Sequence, residues 1–142
     1  MRWSLNSALM CRVFNMWLQL ARDARGSANE LMELERFRSC MSRAYYAAYS
    51  KVAHELVVTA GLTMPPDREG PNHPGKTGRA GIRRLIETSM PGMRQEKREK
   101  LSELVGRLYT LRIDADYKPT ISVESRDARE AITLMKTIFD SF

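Results

Sequence analysis

An all-α fold, an up-down bundle of four to five helices, is what this 142-residue sequence predicts. Three observations carry that prediction. Apolar residues recur at three- and four-residue steps in several long segments, no segment alternates as a strand does, and the helix breakers are gathered in a few places. The length suits one domain, residues 1–142, able to bury a core without disulfides or metal.

Leu5, Leu9, Val13, Met16, Trp17 and Leu20 place one apolar face on a first helix over about 4–24, with Gly26-Ser27 ending it. Ser27 or Asn29 then caps a second helix. In it Leu31, Leu34, Phe37, Met41, Ala44, Ala48, Val52 and Leu56 hold the helical period to about residue 60. From Met64 to Gly81 four prolines and four glycines exclude regular structure, so this is a loop. A short helix over about 77–89 closes at Pro91-Gly92. The fourth, about 93–115, carries Leu101, Leu104, Val105, Leu108 and Leu111 on one face, with the charges from Arg94 to Lys100 toward solvent. Pro119 stops it, and Ser122 or Ser125 caps a last helix bearing Ala128, Ala131, Ile132, Met135 and Ile138.

Net charge is +6, and residues 68–107 alone, with ten Lys/Arg against five Asp/Glu, carry +5 of it. A one-sided basic region favours a polyanionic partner through steering and counterion release, the plain alternative being a solvated helix face. Cys11 and Cys40 have neither metal-site nor disulfide-framework spacing and read as buried thiols of a reducing compartment. Arg12, Asn15 and Gln19 interrupt the apolar start, so neither a signal-peptide core nor a membrane span is expected. The expectation is a soluble, cytoplasmic protein without metal or cofactor.

Gly70-Pro71-Asn72-His73-Pro74-Gly75-Lys76-Thr77 matches the phosphate-loop pattern of nucleotide hydrolases. Its context argues against that use. Two prolines delete backbone donors, no buried strand precedes it, and no apolar run ending in aspartate offers a second metal ligand. A weaker expectation survives: His73, Lys76, Arg79, Arg83 and Arg84 lie near a helix N-terminus and can bind phosphate of any origin.

On the second helix Arg43, Tyr46, Ser50 and His54 share a stripe beside the apolar face, where arginine and tyrosine can hold a phosphate or stack on a base. Tyr45 and Tyr49 read as core residues with hydroxyls at the rim. At the end of the fourth helix, Arg112-Ile113-Asp114-Ala115-Asp116-Tyr117 offers an arginine to stabilise phosphoryl charge and Asp116 or Tyr117 to orient an attacking hydroxyl. The same spacing also makes a simple Arg112–Asp116 pair one turn apart.

Ser42-Arg43-Ala44-Tyr45-Tyr46-Ala47 and Arg112 to Tyr117, in that order, resemble the HEPN superfamily, in its prokaryotic branch with Ser-Arg-Ala-Tyr-Tyr-Ala-like and Arg-x-x-Ala-Asp-Tyr-like motifs. His73 lies where that branch often has a His-Ser-Gly-like segment, and helix order agrees over about residues 5–140. The resemblance implies a helical bundle that often dimerises, with the fourth-helix motifs of two subunits facing a shared cleft. It also implies RNA as ligand, metal-independent ribonuclease activity in many members, a toxin-antitoxin or defence setting, and often a small nucleotidyltransferase as partner. This chain departs from the family's catalytic pattern: Ile113 replaces the usual polar residue and Tyr117 stands where a histidine is usual. A phenol titrating near pH 10, against about 6.5 for imidazole, makes Tyr117 a poor base at neutral pH. A non-catalytic RNA- or nucleotide-binding role therefore stands beside catalysis, and a pure helical interaction module beside both.

Overall fold

In the computed structural model the described residues are 3–64, 70–75 and 81–142, with side chains described from Met16 onward. Five α-helices make the bundle: α1 (Trp3–Glu33), α2 (Phe37–His54), α3 (Ile82–Thr88), α4 (Gln95–Tyr117) and α5 (Ser125–Phe139). No strand forms among the described residues; one bridge joins Asn72 to Gly81. None of the described helices is long and apolar enough to cross a membrane.

The expected break at Gly26-Ser27 is absent, and α1 runs on through both residues. A mid-helix glycine costs about 1 kcal/mol relative to alanine. Burial of Ala21, Ala24 and Ala28 on either side of it, against a neighbouring helix, outweighs that cost. The inward face is Trp17, Ala21, Ala24 and Ala28, while Met16 and Leu20, expected in the core, are exposed. The side chains of Leu5, Leu9, Val13 and Cys11 lie outside the described residues.

The turn comes instead at Glu35, whose φ of 57° is left-handed. Arg36 N–H reaches Leu31 O at 2.9 Å and Glu35 N–H reaches Met32 O at 3.1 Å, the paired bonds of a Schellman ending. Glycine normally occupies that position, because any Cβ there meets the following carbonyl. Glu35→Gly is expected to raise stability by about 0.5–1 kcal/mol, seen as a higher denaturation midpoint with an unchanged slope.

Helix α2 is the central element, packed on α1, α4 and α5. Its small buried residues Ala44, Ala47, Ala48 and Ala53 let those helices come close, and Cys40 is buried among them as a free thiol raised to about 11 by burial. The helix ends in a π-turn over Glu55–Thr59, after which Gly61, at φ 67°, redirects the chain. Helix α3 starts at Ile82, after Gly81; residues 76–80, on which the expected start at about 77 falls, lie outside the described set, as do 65–69. Helix α4 buries Leu101, Val105, Leu108 and Leu111 as the spacing predicts, with Leu104 half-buried. The cap of α5 is Glu124 and not a serine: its side chain accepts from the backbone of Asp127, whose carboxylate accepts from Glu124 N–H at 2.8 Å.

Candidate functional site

The face that α2 turns toward α4 is the run Arg38, Ser42, Tyr45, Tyr46 and Tyr49, at helical three- and four-residue steps. At one end Arg38 fastens the end of α4. Its guanidinium donates to Ala115 O at 2.8 Å, Asp114 O at 3.2 Å and Lys118 O at 3.3 Å, and also to Ile121 O. Two of these carbonyls belong to the last helical turn, where no intrahelical donor remains and where the helix dipole favours a cation.

One turn further along, Ser42 Oγ donates to Asp116 Oδ2 at 3.0 Å, and the same oxygen accepts from Arg112 Nε at 2.9 Å. Arg112 Nη2 donates to the Tyr46 hydroxyl at 2.9 Å and makes a longer 3.4 Å contact with the Tyr117 hydroxyl. Nη1 takes no part in these bonds. The guanidinium carbon lies 5.2 Å from the ring centres of Tyr46 and Tyr117 and 5.8 Å from that of Tyr45, so three aromatic rings wall the cation. Burial opposes the charge of Arg112, but Tyr46, Tyr117 and Asp116 outweigh it and leave its pKa raised.

The segment Gly70–Gly75 lies as a strap along the tyrosine row. The Tyr49 hydroxyl donates to Pro71 O at 2.5 Å. Tyr45 Oη and His73 Nδ1 share a 2.6 Å hydrogen bond. Which of the two atoms donates depends on the tautomer of the imidazole. The imidazole stacks on Tyr49 with centroids 4.4 Å apart and stands edge-on to Tyr46 at 6.1 Å. His73 and Arg112 thus both rest against Tyr45 and Tyr46.

The strap also explains the two glycines of the phosphate-loop match. A Cβ at Gly70 would sit 2.7 Å from the Trp17 ring, and one at Gly75 closer still to the Tyr109 hydroxyl. Both positions serve close packing on aromatic rings, a role unrelated to cradling phosphate. Lys76, Thr77 and Arg79 lie outside the described residues.

Of the sequence-predicted site residues, Arg112, Asp116, Tyr117, Tyr46 and His73 come together. Arg43 does not join their hydrogen bonds. It is exposed, one residue and about 100° around the helix from Ser42, and makes no hydrogen bond or ion pair among the described residues. Its expected stripe passes from exposed Arg43 to buried Ser50 and His54. Arg83 and Arg84 are exposed on α3, with Arg83 Nε donating to the buried Ser102 hydroxyl at 3.1 Å, which itself donates to Glu87 at 2.7 Å. Tyr45 and Tyr49 are buried, as their spacing predicts. Arg38 and Tyr109 carry no role in the sequence reading, and Ser42 enters it only as the first residue of the tyrosine motif, although Arg38 and Ser42 sit one helical turn apart ahead of Tyr45 and Tyr46, which is the signal that finds them. No group of three His, Cys, Asp or Glu among the described residues is placed to hold a metal ion. Comparison of the chain with family models, with curated proteins and with solved structures finds no match.

Proposed function

We propose that the Arg112 cluster binds a phosphate of RNA or of a nucleotide in a HEPN-like protein. The observation that carries this is the guanidinium itself. It is drawn out of bulk solvent and walled by three tyrosines, and among the described residues it pairs with one carboxylate while Nη1 lies outside its bonds to the protein. Exposed Arg43, one turn from Tyr46, adds positive charge beside the cluster, and Arg83 and Arg84 are exposed on α3; Lys76 and Arg79, of the same basic stretch of sequence, lie outside the described residues. The motif resemblance adds the setting: a homodimer, a toxin-antitoxin or defence role, and a small nucleotidyltransferase as partner.

Fluorescence anisotropy of a labelled single-stranded RNA over a salt series tests the reading. Arg112→Ala is expected to weaken binding at least about tenfold, the loss of charge-assisted bonds worth ~1.5 kcal/mol or more. Lys136→Ala removes the same unit of charge from the exposed face of α5 and is expected to change affinity less than about threefold. Equal binding by wild type and Arg112→Ala would leave only the interaction module, a helical surface that docks on another protein.

Cleavage is the sharper form of the same reading, favoured by His73 lying against the tyrosines that also touch Arg112. In the tautomer that donates Nδ1–H to Tyr45, the imidazole takes the proton of a 2′-hydroxyl positioned by Asp116 or Tyr117, and the hydroxyl oxygen attacks the adjacent phosphorus. The 5′-oxygen leaves and takes a proton from solvent, giving a 2′,3′-cyclic phosphate and a 5′-hydroxyl, while Arg112 offsets the extra negative charge. RNA incubated with the protein in EDTA is then cut by wild type and left intact by His73→Ala and Arg112→Ala. No cutting by wild type confines the site to binding.

A further inference from the structure

Tyr117 is the last residue of α4, and it is 64% exposed. A large aromatic ring in water forgoes the gain of burial, and an exposed side chain is ordinarily free to turn. Tyr117 is not free in that sense. Arg112 Nη2 contacts its hydroxyl and the guanidinium carbon lies 5.2 Å over its ring, so one face is occupied while the other is open to solvent. The turn that follows is fixed as well: Ile121 N–H donates to Lys118 O at 3.2 Å, and Arg38 donates to the first and last carbonyls of that turn, Lys118 O and Ile121 O. Ile121, at its far end, is a second exposed apolar side chain. The chain therefore presents a held aromatic face directly beside its walled cation.

We propose that Tyr117 is a stacking platform for one unpaired nucleobase, so that the ligand of the Arg112 cluster is a single-stranded segment whose phosphate and neighbouring base are held together. This rests on the phosphate-binding reading above and adds to it the substrate class. Arginine alone accepts any phosphate or carboxylate; an immobilised open ring adds preference for a flat, unpaired base, because the ordering cost of the ring has already been met in the free protein. Base-paired RNA keeps its bases within the helix and gains nothing from such a platform.

The test is a binding cycle with two probes of equal length and charge, a labelled single-stranded oligoadenylate and an abasic strand. Tyr117→Ala is expected to weaken oligoadenylate binding about tenfold more than it weakens abasic binding, while Tyr117→Phe, which keeps the ring, retains most of the preference for oligoadenylate over the abasic strand. Arg112→Ala weakens both probes. Should Arg112→Ala weaken both while Tyr117→Ala weakens neither, or both equally, the platform is overturned and the phosphate site stands. Should Arg112→Ala leave both unchanged, the phosphate site itself falls and the platform with it. Because Tyr117 is exposed, a matched melting temperature for its variants is expected and separates loss of binding from loss of fold.

Discussion

Tyr45→Ala is expected to lower the unfolding free energy by about 4 kcal/mol and the melting temperature by roughly 15 °C. The ring is fully buried and touches Tyr46, Tyr49, Tyr109 and His73, each with centroids within 6.2 Å, and lies beneath the Arg112 guanidinium. Alanine would leave a cavity where α2, α4 and the strap meet, and packed helices close such a cavity only in part. Tyr45→Phe retains the ring and loses only the bond to His73, so about 1 kcal/mol is expected. Equal losses for the two variants would show that the hydroxyl, and not the packing, holds this junction. Thermal denaturation followed by circular dichroism measures both.

The same burial sets an alkaline limit. It pushes the Tyr45 phenol well above its ordinary range and the Tyr49 phenol up to about 12. Both folded values exceed those of the unfolded chain, near 10, so the unfolded state gives up these protons first. Their contribution to stability is whole below about pH 10 and is lost as the pH climbs through the folded values.

Arg38→Ala is expected to cost about 2 kcal/mol and, alongside that, to weaken the proposed RNA binding several-fold although Arg38 is no part of the proposed site. Four carbonyls lose their donor at once, and two of them end the helix that carries Arg112, Asp116 and Tyr117. Arg38→Lys restores only part of the loss, since a single ammonium cannot span the spread that a planar fork covers. Hydrogen exchange resolves the effect: faster exchange confined to residues about 113–121 locates the damage at the end of α4, as local opening should. A melting temperature within about a degree of wild type would remove Arg38 as the clamp.

The bundle was largely legible, because α4, α5 and most of α2 carry apolar residues at steps that only a helix brings to one face. The ends of α1 and α2 were not. Gly26-Ser27 reads as a stop locally, yet alanine packing carries the helix across it, while the true stop at Glu35 lacks the glycine that marks such turns. At the site, the Arg112–Asp116 pair followed from one-turn spacing. What escaped were contacts spanning long stretches of chain, Arg38 to the end of α4 and Tyr45 to His73. Arg43 illustrates the resolution of such reasoning: a rotation of one residue separates a side chain inside the cluster from one outside it.

The strap has one further consequence. Besides Pro71 O on the Tyr49 hydroxyl, its backbone meets the first residue of α3, where Asn72 O accepts from Ile82 N–H at 2.8 Å. Lifting His73 off its phenol neighbours therefore tugs on the short helix that leans against α4. The amide proton of Ile82 thus reports whether the imidazole is seated, giving a spectroscopic gauge on a different helix from Arg112.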